Sequence, residues 1–158
     1  MTIYFDDIEA GHEVITARRT VTEADILWFC GISGDFNPLH TDIEFIREHT
    51  PFRDRIAHGH LVLSITGGLR SELDNWRIVA YLDCQRRFLA PVYAGDTIHG
   101  AYTVTEVRPS KSRPGTGVVV CDVKTVNQAG EIVHQGTDVL LIGSRHTDSD
   151  EGADDSDP

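Results

Sequence analysis

The sequence predicts an α+β fold in which an antiparallel sheet wraps around a long central helix. The stretch HLVLSITGGLRSEL, from residue 60, is apolar on nearly every side when drawn as a helix, which is typical of a buried helix. The stretches that follow it have the composition and alternation of strands, and turn signals separate them. One early buried helix followed by about four strands indicates the α+β class.

The predicted elements before the central helix are short. Alternation around Val14 predicts a strand. Thr22 is a suitable N-cap for a helix from Glu23 to about Ile32, and Gly34 is the residue expected to end it. The stretch TDIEFIREHT predicts a short amphipathic helix that ends before a Thr-Pro pair.

Four strands are predicted after the central helix, in WRIVAYLDCQRRFLAPV, TIHGAYTVTEVRP, TGVVVCDVKTVNQAG and EIVHQGTDVLLIG. Residues 127–130 form the predicted hairpin turn between the last two. Gly67 and Gly68 lie inside the predicted helix, where each glycine costs about 1 kcal/mol relative to alanine. We therefore expect another backbone or a ligand to pack very close to them.

The length of 158 residues indicates one domain with a tail. Residues 1–143 carry the predicted elements, and residues 144–158 contain six acids, one base and no apolar periodicity. We expect this acidic tail to be disordered. A hydrophobic content of 40% and a mean hydropathy of -0.22 are ordinary for a soluble globular protein.

The net charge of -11 makes nucleic acid an unfavourable partner. No apolar stretch is long enough for a membrane helix, and the acidic N-terminus does not resemble a secretory signal. Three widely spaced cysteines without a CxxC pattern fit reduced thiols, so we expect a cytoplasmic protein. The acidic balance fits either a salt-adapted cytoplasm or codon bias with a solvated surface.

The stretch GDFNPLH, residues 34–40, has two interpretations. Asp35 and Asn37 can each accept hydrogen bonds from nearby backbone, and Pro38 stiffens the chain, so local rules favour a loop between helices stabilised by Asx turns. The other interpretation is an acid–base pair. Asp35 and His40 could share one bound water on this stiff backbone, the carboxylate and imidazole each transferring a proton near neutral pH.

A second stretch, RIAHGHLV, places Gly59 at the start of the central helix. The first N–H groups of a helix lack intrahelical partners, and a glycine lets a ligand approach them. The N–H of Gly59 could therefore stabilise negative charge on a carbonyl oxygen. The alternative is a simple turn into the helix.

The stretches SGDFNPLHTD, AHGHLVLSITGGL and RRFLAPVYAGDTI together resemble the MaoC-like dehydratase family, which contains the (R)-specific enoyl-CoA hydratases of the hot-dog fold. The resemblance extends over residues 4–143. It implies that Asp35 and His40 are the catalytic pair and that the amide of Gly59 binds the thioester carbonyl. It implies that Asn37 braces the loop. Further candidates for substrate binding are Ser33, Gly34, His58 and Gly67.

The chain departs from the family pattern at three points. Gly67 stands where several members carry a serine, His60 stands where methionine or leucine is more usual, and one extra residue lies between His40 and Gly59. These departures bear on substrate choice more than on the proton chemistry.

The implied reaction is syn addition of water to a trans-2-enoyl-CoA, giving an (R)-3-hydroxyacyl-CoA. It requires no metal or redox cofactor. The resemblance also implies a homodimer or higher homo-oligomer, because the family's active site lies between two hot-dog units. Straight-chain, branched and dicarboxylic acyl groups all stay open.

Basic residues near one predicted loop are candidates for binding the CoA phosphates in an otherwise acidic chain. The alternative, that each is an ordinary surface residue, is at least as well supported. The candidates are Arg86, Arg87, Lys111 and Arg113, with Arg108 nearby. The histidines 40, 49, 58 and 60 lack the spacing of known metal motifs, so no metal site is expected.

Two other functions compete with hydration. Thioesterases of the hot-dog fold usually carry a carboxylate on the central helix, and residues 60–70 contain neither Asp nor Glu. A non-catalytic acyl-CoA-binding subunit is the third hypothesis, and the intact pair of Asp35 and His40 argues against it.

Overall fold

The protein is described by a computed structural model covering residues 1–145. It is an α+β domain, as the sequence predicts. The helices are α1 (Glu23–Ser33), α2 (Pro38–Thr41), α3 (Ile43–His49) and α4 (Gly59–Gly67), with 3₁₀ turns at Phe5–Asp7 and Glu72–Asn75. The strands are β1 (Glu13–Ile15), β2 (Arg19–Thr20), β3 (Ile78–Phe88), β4 (Thr97–Pro109), β5 (Thr116–Val126) and β6 (Ile132–Gly143).

The sheet is antiparallel, with the order β1-β4-β5-β6-β3 and with β2 also paired to β4. The four long strands are those predicted from alternation. Strand β3 lies at an edge of the sheet and pairs with β6 along its length, so that Phe88 lies opposite His134. This pairing brings the end of β3 next to the start of α4, where the candidate site lies.

Helix α4 packs one side of its surface against the sheet and α1. Its buried residues Leu61, Val62 and Ile65 join Ile98 of β4 and Ile26 of α1 in one apolar cluster. A second cluster around Trp76 and Tyr102 fills the other end of the domain. The sheet thus covers the central helix as expected.

The central helix differs from its prediction in two ways. It has nine residues, with Gly67 as its last residue and Gly68 as its C-cap, so the two glycines lie at its end and not in its interior. No described atom outside the adjacent chain lies within 4 Å of a Cβ built on Gly67, so the expected close packing is wrong for this residue. His60, Ser64 and Gly67 are also exposed along one face. Among residues 1–145, no helix is long and apolar enough to cross a bilayer.

The ordered domain extends past residue 144, where the tail was predicted to begin. Arg145 donates hydrogen bonds from Nη2 to Asp7 and from its backbone N–H to Asp6, so the chain is still attached to the domain at this residue. The backbone N–H of Tyr4, together with Arg145, lowers the pKa of Asp7. The rest of the predicted disordered tail, residues 146–158, lies outside the described residues.

Candidate active site

The loop after α1 is held by side chains that accept hydrogen bonds from its own backbone. Thr22 caps the start of α1 and Gly34 ends it with φ 75°. Beyond it, Oδ1 of Asp35 accepts from the N–H of Asn37 at 3.1 Å, and Oδ1 of Asn37 accepts from the N–H of Leu39 at 3.0 Å. The two predicted Asx turns are confirmed, and they fix the backbone on both sides of the Asp35 side chain.

His40 is buried and oriented by a backbone carbonyl. Its Nδ1–H donates to the carbonyl oxygen of Ile56 at 2.7 Å, which assigns the proton of the neutral ring to Nδ1. The lone pair on Nε2 is then free, and Nε2 lies 3.9 Å from Oδ2 of Asp35. This separation is too long for a direct hydrogen bond and is suited to a bridging water.

His58 holds both members of this pair. Its ring stacks on that of His40 with centroids 3.5 Å apart, and its Nε2–H donates to the backbone oxygen of Asp35 at 3.0 Å. The Phe29 ring packs against the His58 ring at a tilt of 56°, with the ring centroids 4.9 Å apart. Burial lowers the pKa of His58, so the ring is neutral near pH 7. His58 therefore acts here as a residue that positions Asp35 and His40.

Asp35, His40 and His58 also offer three ligand atoms within 4.8 Å of one another, a grouping that the sequence interpretation did not expect. Nε2 of His58, however, carries the proton that it donates to Asp35. A protonated nitrogen has no lone pair for a cation. The hydrogen bond of His58 therefore disfavours cation binding at its Nε2.

Gly59 is the first residue of α4 and lines a cleft of about 440 Å³. Ile56, whose carbonyl anchors His40, lines the same cleft, whereas Asp35 and His40 are not among its lining residues. A Cβ on Gly59 would lie 2.7 Å from the Phe88 ring, so a larger residue would require this ring to move. Glycine thus allows the Phe88 ring to pack directly against the start of α4.

Comparison with known proteins identifies the family of this chain. Residues 7–127 match the family described as MaoC like domain. The (R)-specific enoyl-CoA hydratase of Rhodospirillum rubrum is 33% identical over 146 residues, which are 90% of this chain and 93% of that protein. The chain belongs to the MaoC-like dehydratase family. It is an enzyme of that family, as the sequence interpretation expected.

Solved structures support the fold of this MaoC-like protein. A monoamine oxidase regulatory protein from Archaeoglobus fulgidus superimposes with a TM-score of 0.81 and 37% identity, covering 90% of this chain and 95% of that one. A double-hotdog protein from Mycobacterium tuberculosis gives a TM-score of 0.77 at 22% identity, covering 99% of this chain and 46% of that one. The predicted hot-dog fold is confirmed.

Not all of the other predicted substrate-binding residues lie near Asp35 and His40 in this MaoC-like protein. Ser33 supports the loop, because its Oγ accepts from the N–H of Asp35. Gly67 lies at the far end of α4, about 12 Å from Gly59 along the helix axis. There it lines a separate cavity of about 300 Å³ with Tyr81 and Asp138.

Arg86 is not available to a CoA phosphate, which corrects one of the predictions. Its Nη2 lies 2.5 Å from Oδ1 of Asp138, and both side chains are buried. Nη1 donates to the carbonyl oxygens of Gln85 and Thr137. Burial opposes ionisation, but the Asp138 carboxylate holds the pKa of Arg86 above its usual range. Arg87 points to the opposite face and is exposed, as strand alternation requires.

The predicted basic cluster does not form around one loop. Arg87 lies opposite Gln135, which pairs with Lys124 of β5. Lys111 and Arg113 lie in the loop before Thr116, at the other end of β5. Lys124 and Thr116 are eight residues apart along β5, which is a distance of about 27 Å. The expectation of one phosphate-binding island is therefore wrong.

Sequence reasoning also missed a buried polar chain behind the cleft. His134, Thr125 and Thr66 are hydrogen-bonded in series, with Nε2 of His134 2.9 Å from the Thr125 hydroxyl. Thr125 and His134 are paired across β5 and β6. The only signal in the sequence was a histidine within an apolar strand, which by itself does not distinguish a ligand contact from packing.

Proposed function

We propose that the protein adds water across the double bond of a trans-2-enoyl-CoA and catalyses the reverse dehydration. The observation that supports it most is the pairing of Asp35 with His40: a free Nε2 lone pair and a carboxylate oxygen 3.9 Å apart, on a loop fixed by His58. The helix start at Gly59 and the adjacent cleft supply a place for the thioester. The (R)-specific relative supports (R)-3-hydroxyacyl-CoA as the product.

In this mechanism the thioester carbonyl oxygen binds the N–H of Gly59, which polarises C3 of the enoyl group. Asp35 takes a proton from the bound water as the oxygen adds to C3. His40 begins as an acceptor at Nε2, so a proton that it gives to C2 is one first received from the water through Asp35. Both new bonds form on the side of the pair, which gives syn addition.

Addition of water changes no net oxidation state of the substrate, so the proposed reaction needs no redox cofactor. The proton transfers use only Asp35 and His40, and they need no metal. The N–H of Gly59 takes the role of an electrophile at the carbonyl oxygen.

We also propose that the working unit is a homodimer or a higher homo-oligomer. Strand β3 is an edge strand whose other side has no partner among residues 1–145. Its large apolar side chains are exposed at Ile78, Val79, Tyr81, Leu82 and Phe88, with Leu89 following. A second copy on this edge would cover them. Sedimentation equilibrium should give at least twice the chain mass of 17.5 kDa. A monomer at assay concentration would contradict this.

Crotonyl-CoA tests the function directly. We expect the ultraviolet absorbance of the conjugated thioester to fall as water adds, and chiral analysis to identify (R)-3-hydroxybutyryl-CoA. Release of free thiol, measured in parallel with a thiol reagent, would instead identify a thioesterase. CoA binding without turnover of any enoyl-CoA would favour a non-catalytic subunit.

A further inference from the structure

The cleft beside Gly59 has an almost entirely apolar wall. It lies between the loop before α4 and the end of β3, and Phe88 forms its side nearest Gly59. Its lining residues include Phe52, Ile56, Val62, Leu89, Pro91 and Val92. A thioester whose carbonyl oxygen binds the N–H of Gly59 must lie along this apolar wall. The wall contains two polar side chains, those of His60 and His134, and of these His134 is the buried one.

His134, Thr125 and Thr66 form a series of hydrogen bonds that ends at a backbone carbonyl. This carbonyl determines which group donates and which accepts in each bond. The Thr66 hydroxyl donates to the backbone oxygen of Val62 at 2.8 Å, since a carbonyl can only accept. The Thr125 hydroxyl then donates to Thr66 at 3.0 Å. Its single proton is used, so Nε2 of His134 must donate to Thr125.

His134 thus carries its proton on Nε2, and Nδ1 is an acceptor. Burial, together with the charge of Arg86, lowers the pKa of His134 to about 4, so the ring is neutral near pH 7. Nδ1 is buried and has no hydrogen-bond partner among the described residues. The two nitrogens of an imidazole point apart. With Nε2 on Thr125, which is not part of the cleft wall, Nδ1 is the ring nitrogen without a partner, and the residue itself lines the cleft.

A buried acceptor without a donor is unfavourable, and native structures seldom leave one. The enoyl part of the substrate has no N–H or O–H group that could serve. The pantetheine arm, which CoA shares with acyl carrier protein, has an amide N–H a few bonds beyond the sulfur. Val62, whose carbonyl ends the series of hydrogen bonds from His134, lies about 4.5 Å from Gly59 along the axis of α4. This distance matches the spacing between the thioester carbonyl and the nearer amide of the pantetheine arm.

We propose that the cleft binds the pantetheine arm and that Nδ1 of His134 accepts a hydrogen bond from the amide nearest the sulfur. The assignment, which rests on the hydratase function proposed above, makes His134 a substrate-binding residue that selects pantetheine thioesters over simple thioesters. Phe88 packs beside the arm where it passes the start of α4.

Two crotonyl thioesters test this directly, one of N-acetylcysteamine and one of 2-acetoxyethanethiol, which replaces the amide N–H with an ester oxygen. We expect the native enzyme to hydrate the amide compound with a kcat/KM about tenfold higher. In His134→Phe this ratio should fall close to one. His49→Phe, the same change at an exposed histidine of α3 that does not line the cleft, is the matched control and should keep the tenfold ratio.

The inference is overturned if the native enzyme uses both thioesters equally, a result that needs no variant to fold. It is also overturned if His134→Phe slows both by the same factor, because His134 would then act through folding alone. If no thioester is hydrated, the hydratase function fails separately. Calorimetric binding of the two saturated butyryl thioesters then decides the inference, with tenfold tighter binding of the amide compound expected. Crotonyl-CoA and crotonyl-acyl carrier protein, each compared with crotonyl-pantetheine, identify the source of the arm.

Discussion

Replacing Asp35 with asparagine should lower kcat for crotonyl-CoA hydration by about 10³-fold, within the range that positioned proton transfer contributes. The substitution keeps the shape of the side chain. Its amide oxygen can still accept from the N–H of Asn37, as Oδ1 of Asp35 does at 3.1 Å. It cannot take a proton from water at neutral pH. The loss should therefore appear in kcat, with little change in melting temperature.

The matched control is Glu44→Gln, the same change of acid to amide at an exposed position of α3. Among residues 1–145 the Glu44 carboxylate pairs only with Arg47, three residues later, and such surface pairs contribute little. Its kcat should stay within about twofold of the native value, since it contacts neither Asp35 nor His40. Native turnover in Asp35→Asn would show that residue 35 is not the base.

The largest effect on stability is expected for Arg86→Ala. This change leaves the Asp138 carboxylate buried without its charged partner, which costs about 3–5 kcal/mol in unfolding free energy. The carbonyls of Gln85 and Thr137 also lose a donor. Tyr81 reports on the same site, because burial and Asp138 raise its pKa. Urea unfolding monitored by circular dichroism measures the difference.

Two further variants isolate the cause. Arg87→Ala removes the neighbouring guanidinium on the exposed face and should change the free energy of unfolding by less than about 0.5 kcal/mol. Arg86→Met combined with Asp138→Leu removes both charges and should recover most of the lost stability, because no unpaired charge remains. A loss below about 1 kcal/mol in Arg86→Ala would refute a structural role for the ion pair.

Local parts of the candidate site could be predicted because their causes lie within a few residues. Thr22 caps α1, Gly34 ends it, and the side chains of Asp35 and Asn37 accept from the backbone two residues later. Short-range hydrogen bonds of this kind depend on residue type and spacing alone. The long strands were predicted for the same reason, since alternation is a property of the local sequence.

The length of α4 was less predictable. An apolar pattern does not indicate whether a pair of glycines lies within a helix or ends it, and the balance is set by what packs around them. The structure ends the helix at Gly67 and leaves His60 and Ser64 on an exposed face. The predicted basic cluster failed for a related reason, because only strand pairing decides which ends of the sheet are close.

The sequence by itself determined the family, the fold class and the loop that carries Asp35 and His40. Tertiary structure alone decided how those side chains are used. Nδ1 of His40 bonds to the carbonyl of Ile56, and His58 bonds to the carbonyl of Asp35. Arg86 pairs with Asp138, and His134 is linked through Thr125 to Thr66. Apart from the Thr125–His134 contact, which spans a hairpin, each of these contacts joins residues at least 16 positions apart in the chain. Their geometry follows from the packing of whole elements, which no short stretch of sequence encodes.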